Sequence, residues 1–163
     1  GAERGRLVDA YVDGHKYVAG KRAVVFGDED LVVGLTSFLT EIGVHVVVAA
    51  SGGRSGRLEA TLRQEIPDLR QDVVVLEDAD FDLIDRASAQ AGPDLLVGHS
   101  KGYPTSRALG VPLVRAGLPV HDRVGGQRLL HVGYRGAQHL FDLIVNTLIG
   151  QAQDASPVGY AYM

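Results

Sequence analysis

The sequence predicts an α/β domain of Rossmann-like, three-layer architecture, with a mainly parallel sheet of four to five strands flanked by helices. Short valine-rich apolar runs alternate with longer segments whose apolar residues recur at a helical spacing. The runs lack the apolar–polar alternation of a half-exposed strand, so both their faces are buried, as in a parallel sheet. Glycine or proline stands at most junctions between the two kinds of segment.

Each element follows from its residues. Residues 3–18, within a leading segment 1–20, read as a helix with apolar positions at Leu7, Val8, Tyr11 and Val18, ended by Gly20. Gly14 weakens that helix by about 1 kcal/mol relative to alanine. Residues 22–26 form a buried strand, and Gly27 turns the chain. Asp28, Glu29 and Asp30 then place carboxylates at the start of the next helix, where the macrodipole favours them. That helix carries Leu31, Val32, Leu35, Phe38, Leu39 and Ile42 on one face and stops at Gly43.

A second strand at 44–49 puts His45 in an apolar run, where its ring is expected to pack. The glycine-rich loop Ser51-Gly52-Gly53-Arg54-Ser55-Gly56 follows, then a helix to about residue 66 that Pro67 closes. Residues 73–76 make a third strand and 81–91 a helix ended by Gly92 and Pro93. Residues 95–97 are a fourth strand. A helical stretch near 106–109 leads to a short fifth strand at 112–114, and the last helix spans about 137–148. Residues 151–163 are expected to form a surface arm. With no internal repeat and no domain-scale linker, 1–163 reads as a single domain.

Composition narrows the function classes. A chain of 163 residues, 45% hydrophobic and 22% charged, can bury a core without staples. A net charge of −4, with lysine and arginine spread along the chain, argues against a nucleic-acid partner. The absence of cysteine excludes disulfides, thiolate metal sites and cysteine nucleophiles, and suits the cytoplasm. No apolar run reaches the ~18 residues of a membrane span, so no membrane partner is expected. The chain opens on Gly1-Ala2 without an initiator methionine, which reads as a cloning remnant before the middle of a longer polypeptide.

Several constellations invite chemistry. A dinucleotide site needs a glycine-rich turn after the first strand, but Gly27-Asp28-Glu29-Asp30 would repel a pyrophosphate. The Ser51–Gly56 loop, with Arg54 and Arg57, has the makings of an anion-binding nest before a helix. It lacks the lysine of a P-loop, and its alternative reading is a flexible turn. His99-Ser100-Lys101 follows the fourth strand, where such folds place functional groups; equally, it is a polar turn with Ser100 capping the next segment. The six histidines (His15, His45, His99, His121, His131, His139) form no metal-binding motif.

Asp9 and Asp13, four apart on one helical face, are either a solvated pair balanced by Arg6 and Lys16 or half of an oxygen-ligand site for a divalent cation. His121, Asp122, Arg123, Gln127 and Arg128 surround Gly125-Gly126 in a stretch without periodicity, which suits a subunit interface or a pocket wall. No catalytic set assembles.

Residues 4–9 (RGRLVD) with Asp13, 20–27 (GKRAVVFG), 28–43 (DEDLVVGLTSFLTEIG), 93–98 (PDLLVG) and 111–148 together resemble, in the same order, the C-terminal part of the β-type subunits of nitrogenase component 1. That resemblance implies the C-terminal one of three Rossmann-like domains in a longer chain. It also implies a partner α-type subunit, a second β-type subunit in a heterotetramer, and a reductase iron protein serving the complex. The family's iron–sulfur cluster and iron–molybdenum cofactor, or its precursor, would lie outside these residues, leaving none bound by this domain alone. Asp9 and Asp13 match a pair that helps hold a cation between β subunits, so the resemblance adds a possible divalent cation at that interface.

Within the family, the compact span between the fourth strand and Val111-Pro112-Leu113, with 107–112 (RALGVP) and 122–126 (DRVGG), is closer to the scaffold on which the cofactor precursor matures. Catalytic β chains usually carry a longer insertion there. The expected function is therefore nitrogenase iron–molybdenum cofactor biosynthesis, with the catalytic molybdenum–iron protein β chain as the alternative. Dark-operative protochlorophyllide reductase is a more distant relative. A stand-alone small-ligand or anion-binding module is the reading from another class.

Overall fold

The computed structural model describes residues 14–116 and 133–155. Residues 14–18 are helical (α1). They are followed by β1 (Arg22–Gly27), α2 (Glu29–Glu41), β2 (His45–Ser51), α3 (Leu58–Glu65), β3 (Val74–Leu76), α4 (Phe81–Ala91) and β4 (Leu95–Gly98). A 3-10 turn (Ser100–Gly102), α5 (Tyr103–Leu109), β5 (Leu113–Arg115) and α6 (Gly133–Ala155) complete the described chain. The five strands form one sheet in the order β3-β2-β1-β4-β5, and every neighbouring pair is parallel.

Helices cover both faces of the sheet, which explains why the strands read as unbroken apolar runs. On one face Ala23, Val25, Val46, Ala49, Leu95 and Val97 pack with Val32, Leu35 and Leu39 of α2, Leu58 and Leu62 of α3, and Leu140, Phe141 and Ile144 of α6. On the other, Val24, Phe26, Val48, Leu96 and Leu113 meet Ile84 of α4. Burying a valine or leucine side chain contributes about 1.5–3 kcal/mol, so these two clusters hold the layers together.

The β1–β2 register shifts once: Ala23 pairs with Val46 and Val24 with Val48, so Val47 is passed over. Val47 and Val48 consequently both face the α4 layer. This break in the alternation of side chains is a bulge, uncommon between parallel strands.

The helix ends follow their capping residues. Gly43, with φ 94°, takes the left-handed position after α2, and Gly92 does the same for α4 at φ 61°. The Asp80 carboxylate accepts the Leu83 N–H at 2.9 Å and caps α4.

Four sequence expectations are corrected. α5 begins at Tyr103, with Pro104 in its first turn, several residues before the expected start. α6 runs from Gly133 to Ala155, beyond the apolar stripe that defined the expected helix. His45 is exposed rather than packed, because it is the first residue of β2 and emerges at the open end of the sheet. Ser100 is the first residue of the 3-10 turn, and the capping position belongs to His99.

Candidate functional site

In a doubly wound sheet the working crevice lies beyond the carboxyl ends of the strands, where the strand order reverses. Here that point falls between β1 and β4. The segments gathered at this edge are Gly27–Asp28 after β1, residues 51–57 after β2, residues 77–80 after β3 and His99–Gly102 after β4.

The loop after β2 and the loop after β3 are stitched together. Asp78 N–H donates to Gly53 O at 2.7 Å and Ala79 N–H to Ser51 O at 3.1 Å. The Gly53 N–H donates to Ser51 Oγ at 3.0 Å. Asp78 adopts φ 50°, and its carboxylate takes an ion pair from Arg54 Nε at 2.9 Å. Both partners of that pair are exposed, so it contributes little stability.

The same loop was the anion nest expected from Ser51, Gly52, Gly53, Arg54, Ser55 and Gly56. Three of its donors, the Gly56 N–H, the Ser55 hydroxyl and the Arg54 guanidinium, are engaged by the chain's own carboxylates. Gly56 N–H donates to Glu77 Oε1 at 2.9 Å. Ser55 Oγ lies 2.8 Å from Glu29 Oε1 and 3.2 Å from Glu77 Oε1, and it accepts the Arg57 N–H at 3.0 Å. Beside it, Glu29, Asp30, Val33, Gly34, Arg57, Thr61 and Glu65 line an open groove of about 550 Å³ between α2 and α3. Carboxylates dominate that groove.

His99 is half-buried among aromatic rings. Its imidazole meets Phe26 edge-on at 5.2 Å between centroids and Phe81 at 5.7 Å, while Phe26 and Phe81 themselves meet at 5.7 Å. Lys101 is exposed. Farther along, the Tyr103 ring, 44% exposed, lies beneath the guanidinium groups of Arg107 and Arg115 at 5.9 and 5.7 Å. A hydrogen bond to the Tyr103 hydroxyl raises the Arg107 pKa above its usual value.

Of the other histidines, His15 and His139 are exposed, and His45 Nδ1 is 3.1 Å from Arg70 Nη1. Among the described residues no group of three or more His, Asp or Glu side chains converges in a way that could hold a metal ion. Asp9 and Asp13 lie outside the described residues, as do His121, Asp122, Arg123, Gln127 and Arg128. The structure thus brings together Glu29, Ser55 and Glu77, which sequence reading had not linked. The signal for that convergence was faint: three polar residues from three different βα connections.

Residues 1–149 match the family model described as nitrogenase component 1 type oxidoreductase. The chain belongs to that family. It is 35% identical over 148 residues to the nitrogenase molybdenum-iron protein beta chain of Methanothermobacter thermautotrophicus, covering 90% of this chain and 32% of that one. It is 33% identical over 146 residues to the nitrogenase iron-molybdenum cofactor biosynthesis protein NifN of Rhodobacter capsulatus, covering 90% of this chain and 30% of that one.

Among solved structures, nitrogenase Cp1 at pH 6.5 superposes with a TM-score of 0.92 and 25% identity, over 99% of this chain and 36% of the other. The chain therefore spans about a third of the length of the nitrogenase-family proteins it matches. The five-stranded parallel sheet and its flanking helices are the fold expected of a nitrogenase component 1 domain. Among the described residues no helix is long and apolar enough to cross a membrane.

Proposed function

We infer that this chain is the C-terminal Rossmann-like domain of a nitrogenase-like β-type subunit whose complex builds the iron–molybdenum cofactor. The observation that carries the choice of branch is the connection between β4 and β5. It holds only a three-residue 3-10 turn and the seven-residue α5, the compact form by which the sequence resembles the assembly scaffold.

In this reading the parent chain contributes iron–sulfur ligands from segments outside these residues. These 163 residues contain no cysteine, so a thiolate-held cluster has no anchor among them. The domain's own contribution is rigid: it completes the subunit body and presents the His121–Arg128 stretch to an α-type partner. Asp9 and Asp13 would furnish two oxygen ligands to a divalent cation shared with a second β-type chain. A cytoplasmic location and a reductase iron protein as electron donor belong to the same proposal.

A second reading is the catalytic β chain, since the chain is as similar to a molybdenum-iron protein beta chain, at 35% identity, as to NifN, at 33%. The full-length gene product, co-purified with its α-type partner, separates the two. A scaffold complex activates cofactor-deficient nitrogenase in an extract and gives little acetylene reduction by itself. Direct acetylene and dinitrogen reduction at nitrogenase rates, without transfer to an acceptor protein, would establish the catalytic reading instead.

A further inference from the structure

The crevice at the β1–β4 switch point has an occupant supplied by the chain itself. Phe26 is the penultimate residue of β1, and its side chain is 1% exposed. Its ring reaches toward the end of β4 and the 3-10 turn that follows. A Cβ added to Gly98 would lie 2.5 Å from Phe26 Cε2, and one added to Gly102 only 2.2 Å from Phe26 Cζ. Neither φ is in the left-handed range, so both glycines are there for the ring and not for the backbone. Phe81 and His99 close two further sides, each edge-on to the Phe26 ring.

Glycines that let a neighbour approach closely, aromatic walls set edge-to-face and a location at the switch point are the attributes of a seat for a flat ring. We propose that the Phe26 phenyl group is a built-in occupant of this seat, and that removing it opens a binding site for a small, neutral aromatic molecule. The walls named are aromatic rings and glycine backbone, which suit a neutral aromatic ligand. The inference is independent of whether the parent complex assembles cofactor or reduces substrate.

The test uses the full-length chain in its complex. Phe26→Ala is expected to melt at a lower temperature than the unaltered chain and to regain part of that loss with benzene or indole. The unaltered chain should show no such response to either probe. Binding to the folded state alone raises the melting temperature in this way, and an apolar cavity left by a truncated side chain takes benzene.

A second measurement stands without that variant. All the ring atoms close to the added Gly102 Cβ belong to the far end of Phe26, and leucine lacks them. Gly102→Ala should therefore lower the urea midpoint strongly beside Phe26 and far less in the Phe26→Leu background. Equal losses in both backgrounds, or a Phe26→Ala complex indifferent to both probes, or an unaltered chain that responds as its variant does, would each overturn the proposal. If Phe26→Ala does not assemble, the Gly102 cycle decides alone.

Discussion

Gly14 sets two opposing terms against each other in a single atom. Replacing a helical glycine by alanine ordinarily gains about 1 kcal/mol. At Gly14 the new methyl group would lie 2.7 Å from Phe141 Cε1 and Cζ, on a ring that is 1% exposed and has no room to retreat. Overpacking of that kind costs about 1–3 kcal/mol, so Gly14→Ala is expected to destabilise in urea titration. Gly34, exposed on α2 with nothing within 4 Å of an added Cβ, has only the first term, and Gly34→Ala should stabilise by up to about 1 kcal/mol. The sequence showed the cost of Gly14 but not its purpose, because Phe141 arrives from the far end of the chain.

Asp72 offers a pH prediction at the same scale. Its hydrogen bonds from Arg70, at 2.9 and 3.0 Å, hold its carboxyl below the usual carboxylate range. The folded pKa is below the unfolded one, so the unfolded chain takes up the proton first as acid is added. The contribution is complete above about pH 4 and is lost as the pH falls through the folded value. Asp72→Asn should lower stability slightly at neutral pH and flatten the acid limb of the stability curve by the same small amount, since the pair is solvent-exposed and screened by salt.

Among the elements, α4 was read from sequence with its observed boundaries. Its signals are local: Asp80 caps one end, and Gly92 turns out of the other at φ 61°. Asp80→Ala should cost about 1 kcal/mol, measurable as a fall in the urea midpoint without a change in slope. α6 was read short because its amphipathic stripe ends at Leu148, whereas a helix once formed propagates through polar residues at little cost. α5 was read late because its first turn carries Tyr103 and Pro104, which announce a turn as readily as a helix start. The connection from α3 to β3 depends on contacts no periodicity reveals: Arg63 donates to Arg70 O at 2.7 Å and to Gln71 O at 3.1 Å. His45 escaped for a related reason, since an apolar run does not tell which of its residues stands at the mouth of the sheet.

At the scale of the whole molecule, the parallel sheet was legible because burial on both faces writes itself into every strand. The candidate site was not, because Glu29, Ser55 and Glu77 meet across three separate βα connections. Hydrogen exchange should follow the sheet order, slowest in β1, β2 and β4 and faster in the short edge strands β3 and β5. The central position of β1 has a further consequence during synthesis. One of its edges pairs with β2 soon after it emerges, but the other, at Ala23, Val24 and Val25, waits for Leu95, Leu96 and Val97. At roughly 5–20 residues per second on the ribosome, that edge stands open for seconds while the chain between them is made. A nascent chain stalled before Leu95 is expected to pellet as aggregate, and one released beyond Arg115 to remain in solution, because an unpaired apolar edge is a template for any other strand nearby.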